Sequence, residues 1–233
     1  MKRIVFIIVS IIITALMVMV IAVRSGAFRG ESYFVELKRD SLFSLKRGDI
    51  LVRANWPWLP GSCEVDGGKN YGHVAIVTDG YTGSDITEVL EKSTVIEALF
   101  FDQVTRKLQF KRDAQIRETK AIISFGKRFE GRRYRLRAQL DSAIIDSMIL
   151  FLRNQLDFGY SVFSSKVRFE NDNEKRALIK GDKNVRWNCA TLTWEAFFIT
   201  AGMDIDSNGG SVIYPSDIIP ANHFNGPSGR IRF

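Results

Sequence analysis

Gly72 to Phe100 reads GHVAIVTDGYTGSDITEVLEKSTVIEALF. Its two apolar runs, His73–Thr78 and Thr94–Phe100, are bounded by turn residues and predict strands, with DGYTGSD as turn chemistry after the first. Further strands are expected at Gln103–Lys111, where polar residues alternate, and at Ala121–Phe125 (AIISF). Upstream, Asp49–Arg53 (DILVR) predicts a strand entered from the turn Lys46-Arg47-Gly48. The segment 55–72 that follows is rich in Trp, Pro and Gly and is expected to be irregular. Downstream, Leu136, Leu140, Ile144, Met148, Leu152 and Leu156 recur four apart, which predicts one face of a long amphipathic helix from Arg133 to Leu156. A second helix is expected from Cys189 to Gly202, with Leu192, Ala196 and Ile199 inward and Gly202 as its stop. Strands in a run with helices behind them predict an α+β domain with a mostly antiparallel sheet.

The chain has 233 residues, 45% of them hydrophobic and 25% charged. That balance excludes a disordered, collagenous or repeat protein. Two Cys are too few for a disulfide scaffold. The net charge of +7 favours anionic partners without choosing among them. Ile4 to Val23 carries no charge, and Ser10 and Thr14 are its polar residues. As a helix it would span about 30 Å, the thickness of a bilayer core. With Lys2 and Arg3 ahead of it, it reads as an uncleaved signal anchor with a cytoplasmic N-terminus. The expected organisation is an anchor at 1–25, a spacer and domain entry at 26–45, and one domain at 46–233. The expected location is the cell membrane, single-pass, with the domain extracytoplasmic.

Three residues stand out for chemistry. Cys189 opens the second helix, where unpaired N–H groups and the positive end of the macrodipole favour a thiolate, the form that acts as nucleophile. The alternative is a small apolar side chain in a helix. His73 opens a strand after Asn70-Tyr71-Gly72, well placed to take a thiol proton if the fold brings it close. Glu97 lies between Val95, Ile96, Ala98 and Leu99, where a lone carboxylate is costly unless paired. If the two strands are neighbours, Glu97 can face His73 and orient its ring. His223, in PANHFNGPSG, reads as structural. Cys63, His73, Cys189 and His223 lack the paired spacing of a metal site, so no metal or other cofactor is expected. A Cys63–Cys189 disulfide is a further alternative in an exported protein.

Taken together, these segments resemble the papain-like cysteine hydrolases of the NlpC/p60 superfamily, in its circularly permuted, YiiX-like branch. Arg47-Gly48-Asp49-Ile50-Leu51 resembles the family's opening Gly-Asp strand, Gly72-His73-Val74-Ala75-Ile76-Val77 its histidine strand, and Val95-Ile96-Glu97-Ala98 the strand bearing the polar third residue. Asp157-Phe158-Gly159-Tyr160 resembles the segment after the long helix. Asn188-Cys189-Ala190-Thr191-Leu192, followed by Tyr214-Pro215-Ser216-Asp217, resembles the nucleophile helix and the Pro-x-Asp turn behind it. Here Cys follows His, as in the permuted group. Gly72 and Ala190 stand where Ser is frequent.

The resemblance implies a Cys189-His73-Glu97 triad cleaving an amide, or an ester, through a thioester. The Cys189 N–H and Tyr71 are candidate oxyanion donors, with Trp187 and Tyr160 further oxyanion or substrate candidates. The implied substrates are peptides of cell-wall peptidoglycan or, as an alternative, lipid-type acyl groups. Between Thr105 and Arg137, twelve Lys and Arg stand against Asp113, Glu118 and Glu130. Such a stretch could rest on anionic headgroups or acidic polymers, its plainer use being a solvated surface. No nucleic-acid recognition motif is present. A different class also fits: an inactive binding module holding a sugar or lipid on Trp56-Pro57-Trp58-Leu59-Pro60.

Overall fold

The protein is described here from a computed structural model, which covers residues 8–18, 35–37, 41–54, 63–65, 69–101, 107–108, 111, 115–156, 158–181, 185–226 and 228–233. A helix at 8–18 (α1) precedes β1 (Val35–Glu36), β2 (Phe43–Ser44), β3 (Ile50–Ala54), β4 (Cys63–Val65), β5 (Lys69–Asp79) and β6 (Thr82–Gly83). Then come α2 (Ile86–Lys92), β7 (Thr94–Ala98), β8 (Ile116–Lys120), α3 (Ala121–Phe125) and β9 (Arg133–Leu136). The chain continues through α4 (Ser142–Arg153), α5 (Asp172–Lys180), α6 (Cys189–Ala201), α7 (Pro215–Ile218) and β10 (Arg230–Arg232). The main sheet runs β1-β10-β9-β3-β5-β7-β8, with β4 on β5. Its pairs are antiparallel except β1 with β10. This is the α+β, mainly antiparallel architecture expected.

Alternation along the strands divides the interior in two, because successive side chains leave a pleated strand on opposite faces. Ile50, Val52, Val74, Ile76 and Ile96 pack with α4, α5, α6 and α7 on one face. Leu51, Ala75, Val77 and Val95 pack with α2 and α3 on the other. The Gly-Asp turn anchors the centre: Gly48 takes a left-handed φ of 83°. Buried Asp49 then accepts both Nε and Nη2 of Arg137, each at 2.6 Å.

Several expectations change. Among the described residues no helix is long and apolar enough to cross a membrane. The described part of the N-terminal helix, 8–18, is about 16 Å long, roughly half a bilayer core. This overturns the transmembrane helix; residues 4–7 and 19–23 lie outside the described residues. Ala121–Phe125 is a short helix, not a strand: Ala121, Ser124 and Phe125 turn inward at i, i+3 and i+4, a choice that periodicity cannot make in so short an apolar run. The long helix is Ser142–Arg153, because Arg133–Leu136 is a buried strand paired on both edges, with β3 and β10. Leu136 shares the helix's four-residue spacing only by coincidence. Cys63–Val65 is a strand within the segment read as irregular. Of Gln103–Lys111, the described residues show one bridge, Phe101 to Leu108, and the rest lies outside them, as do Trp56–Pro60 and Asp157.

Candidate active site

β5 carries His73 and β7 carries Glu97. The register places Ala75 opposite Glu97, so the two side chains share a face at diagonal positions. His73 Nε2 and Glu97 Oε2 are 2.7 Å apart, both side chains buried. Sequence reasoning located this pair but missed what fixes it. Arg117, opposite Glu97 on β8, donates Nε and Nη2 to Oε1 at 3.0 and 2.9 Å. Ser124 of α3 donates to the same oxygen at 2.8 Å. The Phe125 ring stacks on the imidazole with centroids 5.7 Å apart. Burial alone would raise the Glu97 carboxyl. The His73 hydrogen bond and charge, with Arg117 and Ser124, instead hold it at about 2. A carboxylate on Nε2 fixes the tautomer with its proton there and leaves Nδ1 as the basic nitrogen. Burial, then Arg53, pull the imidazole below its ordinary value against the raising effect of Glu97. His73 is therefore neutral at neutral pH.

α6 delivers Cys189. The helix is buried on almost every side, as an apolar helix must be. The Asn188 side chain caps it by accepting the Thr191 N–H at 2.7 Å, and its Nδ2 reaches Ser164 O at 3.4 Å. Gly202 closes it at a left-handed φ of 65°. Cys189 is a free thiol, so no disulfide occupies it. Its sulfur accepts the backbone N–H of Val74, the residue next to His73, and that of Ala190. Val74 lies past the point where β5 pairs with β7, which begins at Ala75, while β3 occupies the other edge. The sulfur thus meets β5 from the α6 side at the Val74 amide, while the His73 ring stacks on Phe125 of α3. Burial pushes the thiol up to about 11, outweighing the two amide donors and Arg53. This reverses the thiolate expected from the helix start alone, because desolvation exceeds the dipole.

The other candidates divide. Tyr160 pairs with Trp187 in a parallel bridge. Burial and the Cys189 charge both raise the Tyr160 phenol, which puts it within electrostatic reach of the sulfur. Tyr71 is buried with its ring against Tyr134. Trp187 does not line the site: its indole is buried in the core and donates to Gln155 at 3.2 Å. His223 is exposed on a short 3-10 turn, away from any role as a buried ligand. Among the described residues no group of His, Cys, Asp and Glu could hold a metal ion. The basic stretch does not form one surface either. Arg133 and Arg135 are buried, Arg117 holds Glu97 and Arg137 holds Asp49, while Arg106 and Arg112 lie outside the described residues.

Arg53, unremarked in the sequence, completes the buried polar set. It stands directly across from His73 on β3 and lies 4.3 Å over the Phe129 ring. Burial brings its pKa down to about 9.

No family model matches the chain, and no solved structure matches it. A 36-residue stretch is 53% identical to the uncharacterized protein YycO of Bacillus subtilis (strain 168), covering 16% of this chain and 15% of that protein.

Proposed function

We propose that the chain is a cysteine hydrolase of amide bonds, of the permuted NlpC/p60 kind its motifs resemble. The observation that carries the reading is the buried His73–Glu97 pair at 2.7 Å, with the Cys189 sulfur on the amide adjoining His73. Nucleophile, base and orienting carboxylate on three separate elements are what thiol acyl transfer needs. Cys189 Sγ attacks the carbonyl carbon while its proton passes to His73 Nδ1. A C–S bond forms, and collapse of the tetrahedral intermediate breaks the C–N bond as the imidazolium protonates the leaving amine. Water, deprotonated by His73, then cleaves the thioester, releasing the acid and restoring the thiol. Glu97 stabilises the imidazolium in both halves. Tyr160, near the sulfur, is the side chain we assign to the substrate, which we read as a peptide of the cell-wall type.

The test is a thiol-directed probe quantified at Cys189 and Cys63 separately, together with hydrolysis of peptidoglycan peptides. Cys189→Ala and His73→Ala should each abolish hydrolysis, and His73→Ala should slow labelling of Cys189 at least tenfold. Equal labelling of both thiols, indifferent to His73, would leave a binding module.

A further inference from the structure

Among the described residues, two arginines turn their side edge on a buried carboxylate. Arg137 grips Asp49 with Nε and Nη2, each at 2.6 Å. Arg117 turns the same two nitrogens on Glu97. In Arg53 that edge meets nothing: Nε and Nη2 are buried and have no hydrogen-bond partner, while Nη1 donates to Ala54 O at 3.1 Å. Buried guanidinium N–H groups are ordinarily satisfied, and an unsatisfied one calls for an explanation. Local acids do not supply it. Glu97 is the carboxylate whose charge Arg53 feels most, and its oxygens are engaged by His73, Arg117 and Ser124. On the other flank, Arg133 faces Arg53 across β3 and β9 and spends its guanidinium on the backbone oxygens of Phe125 (2.7 Å) and Phe233 (3.3 Å). A buried guanidinium therefore stands beside the imidazole with two parallel donors unpartnered. That fork matches two oxygens of one carboxylate or phosphate.

We propose that Arg53 is the anion-recognition residue of this site, its Nε and Nη2 taking the carboxylate or phosphate oxygens that the acyl substrate carries beside the bond Cys189 attacks. The inference rests on reading Cys189 and His73 as the reacting pair. It assigns the substrate a negative charge close to the scissile carbonyl. It also explains why β3 holds arginine at a position directly opposite His73, where an apolar residue would otherwise extend the packing of Leu51.

Two alkylating reagents of nearly equal size test it: iodoacetate, an anion, and iodoacetamide, its neutral counterpart. Rates are measured at Cys189 by peptide mass spectrometry, and the iodoacetate-to-iodoacetamide ratio is normalised to the same thiol in urea. The unaltered protein should give a ratio above one. Arg53→Met should lower it fivefold or more with iodoacetamide labelling retained; a smaller fall overturns the proposal. The unaltered protein gives an independent reading at constant ionic strength. Sodium phosphate or sodium acetate should protect Cys189 from iodoacetamide saturably, and protection by neither also overturns it. Protection by acetate alone assigns a carboxylate, and by phosphate alone a phosphate. His73→Ala separates the two claims. Unchanged iodoacetamide labelling in that variant removes the hydrolase reading, while the anion preference is still measured.

Discussion

At the scale of single residues, the candidate site rests with a neutral thiol on the Val74 amide and a neutral imidazole on Glu97. Burial pushes Cys189 up to about 11 and pulls His73 down, so in the proposed mechanism a thiolate–imidazolium pair would form only as the carbonyl is attacked. Glu97 would stabilise the imidazolium in that step, and its own charge is secured by His73, Arg117 and Ser124. Glu97→Gln removes the charge while keeping the shape. Turnover should fall by about 10²- to 10⁴-fold, the scale expected when an orienting carboxylate is neutralised. The pH profile has a definite sign. Activity should be lost as His73 protonates, below its ordinary 6.5, and Glu97 raises the His73 value. In Glu97→Gln the acid limb should therefore move to still lower pH. A limb that stays in place would show that this carboxylate does not govern the imidazole.

At the scale of elements, α6 does two jobs, filling the core and aiming the sulfur. Its ends are separable. Asn188 caps the start through Thr191 and also touches the Ser164 carbonyl. Gly202 closes the far end with no atom within 4 Å of the place a Cβ would take, so its substitution costs backbone strain alone. Asn188→Ala and Gly202→Ala should each destabilise by about 1 kcal/mol in urea unfolding. Only Asn188→Ala should also slow Cys189 labelling, since it frees the turn that carries the thiol. Equal labelling in the two variants would mean that the cap holds the helix without aiming it.

At the scale of the whole molecule, buried acids pull stability in opposite directions with pH. Glu97 is held at about 2, so its contribution is present above its ordinary 4.5 and lost as pH falls toward 2. Glu195, on the buried side of α6, is pushed up to about 7 by burial, against the Val167 N–H, Lys166 and Lys175. Its Oε1 has no hydrogen-bond partner. The native state binds that proton more tightly than the unfolded chain, so stability drains as pH rises from about 4.5 to 7. Glu195→Gln should stabilise the protein at pH 8, on the order of 1 kcal/mol, and have little effect at pH 4. Urea midpoints at the two pH values check this, and a gain of equal size at both would point to packing in place of ionisation.

Part of this was legible beforehand, for identifiable reasons. β3, β5 and β7 are apolar runs bounded by turn residues, and α6 is an apolar helix with a cap and a glycine stop, so local chemistry alone located them. Glu97 announced its need of a partner by sitting in an apolar strand, and His73 was the partner within reach. The β8 strand IRETK and the buried arginines of β9 were not legible, because their polar side chains are paid for by contacts distant in sequence: Arg117 with Glu97, Arg133 with Phe125 and Phe233. A five-residue apolar run such as AIISF likewise takes its form from what it packs against. The sequence by itself determined the antiparallel core strands and offered the three residues proposed here for thiol chemistry. Tertiary structure alone decided the ionisation of that thiol and the company it keeps, because desolvation and cross-strand register depend on what lies next to a residue in space.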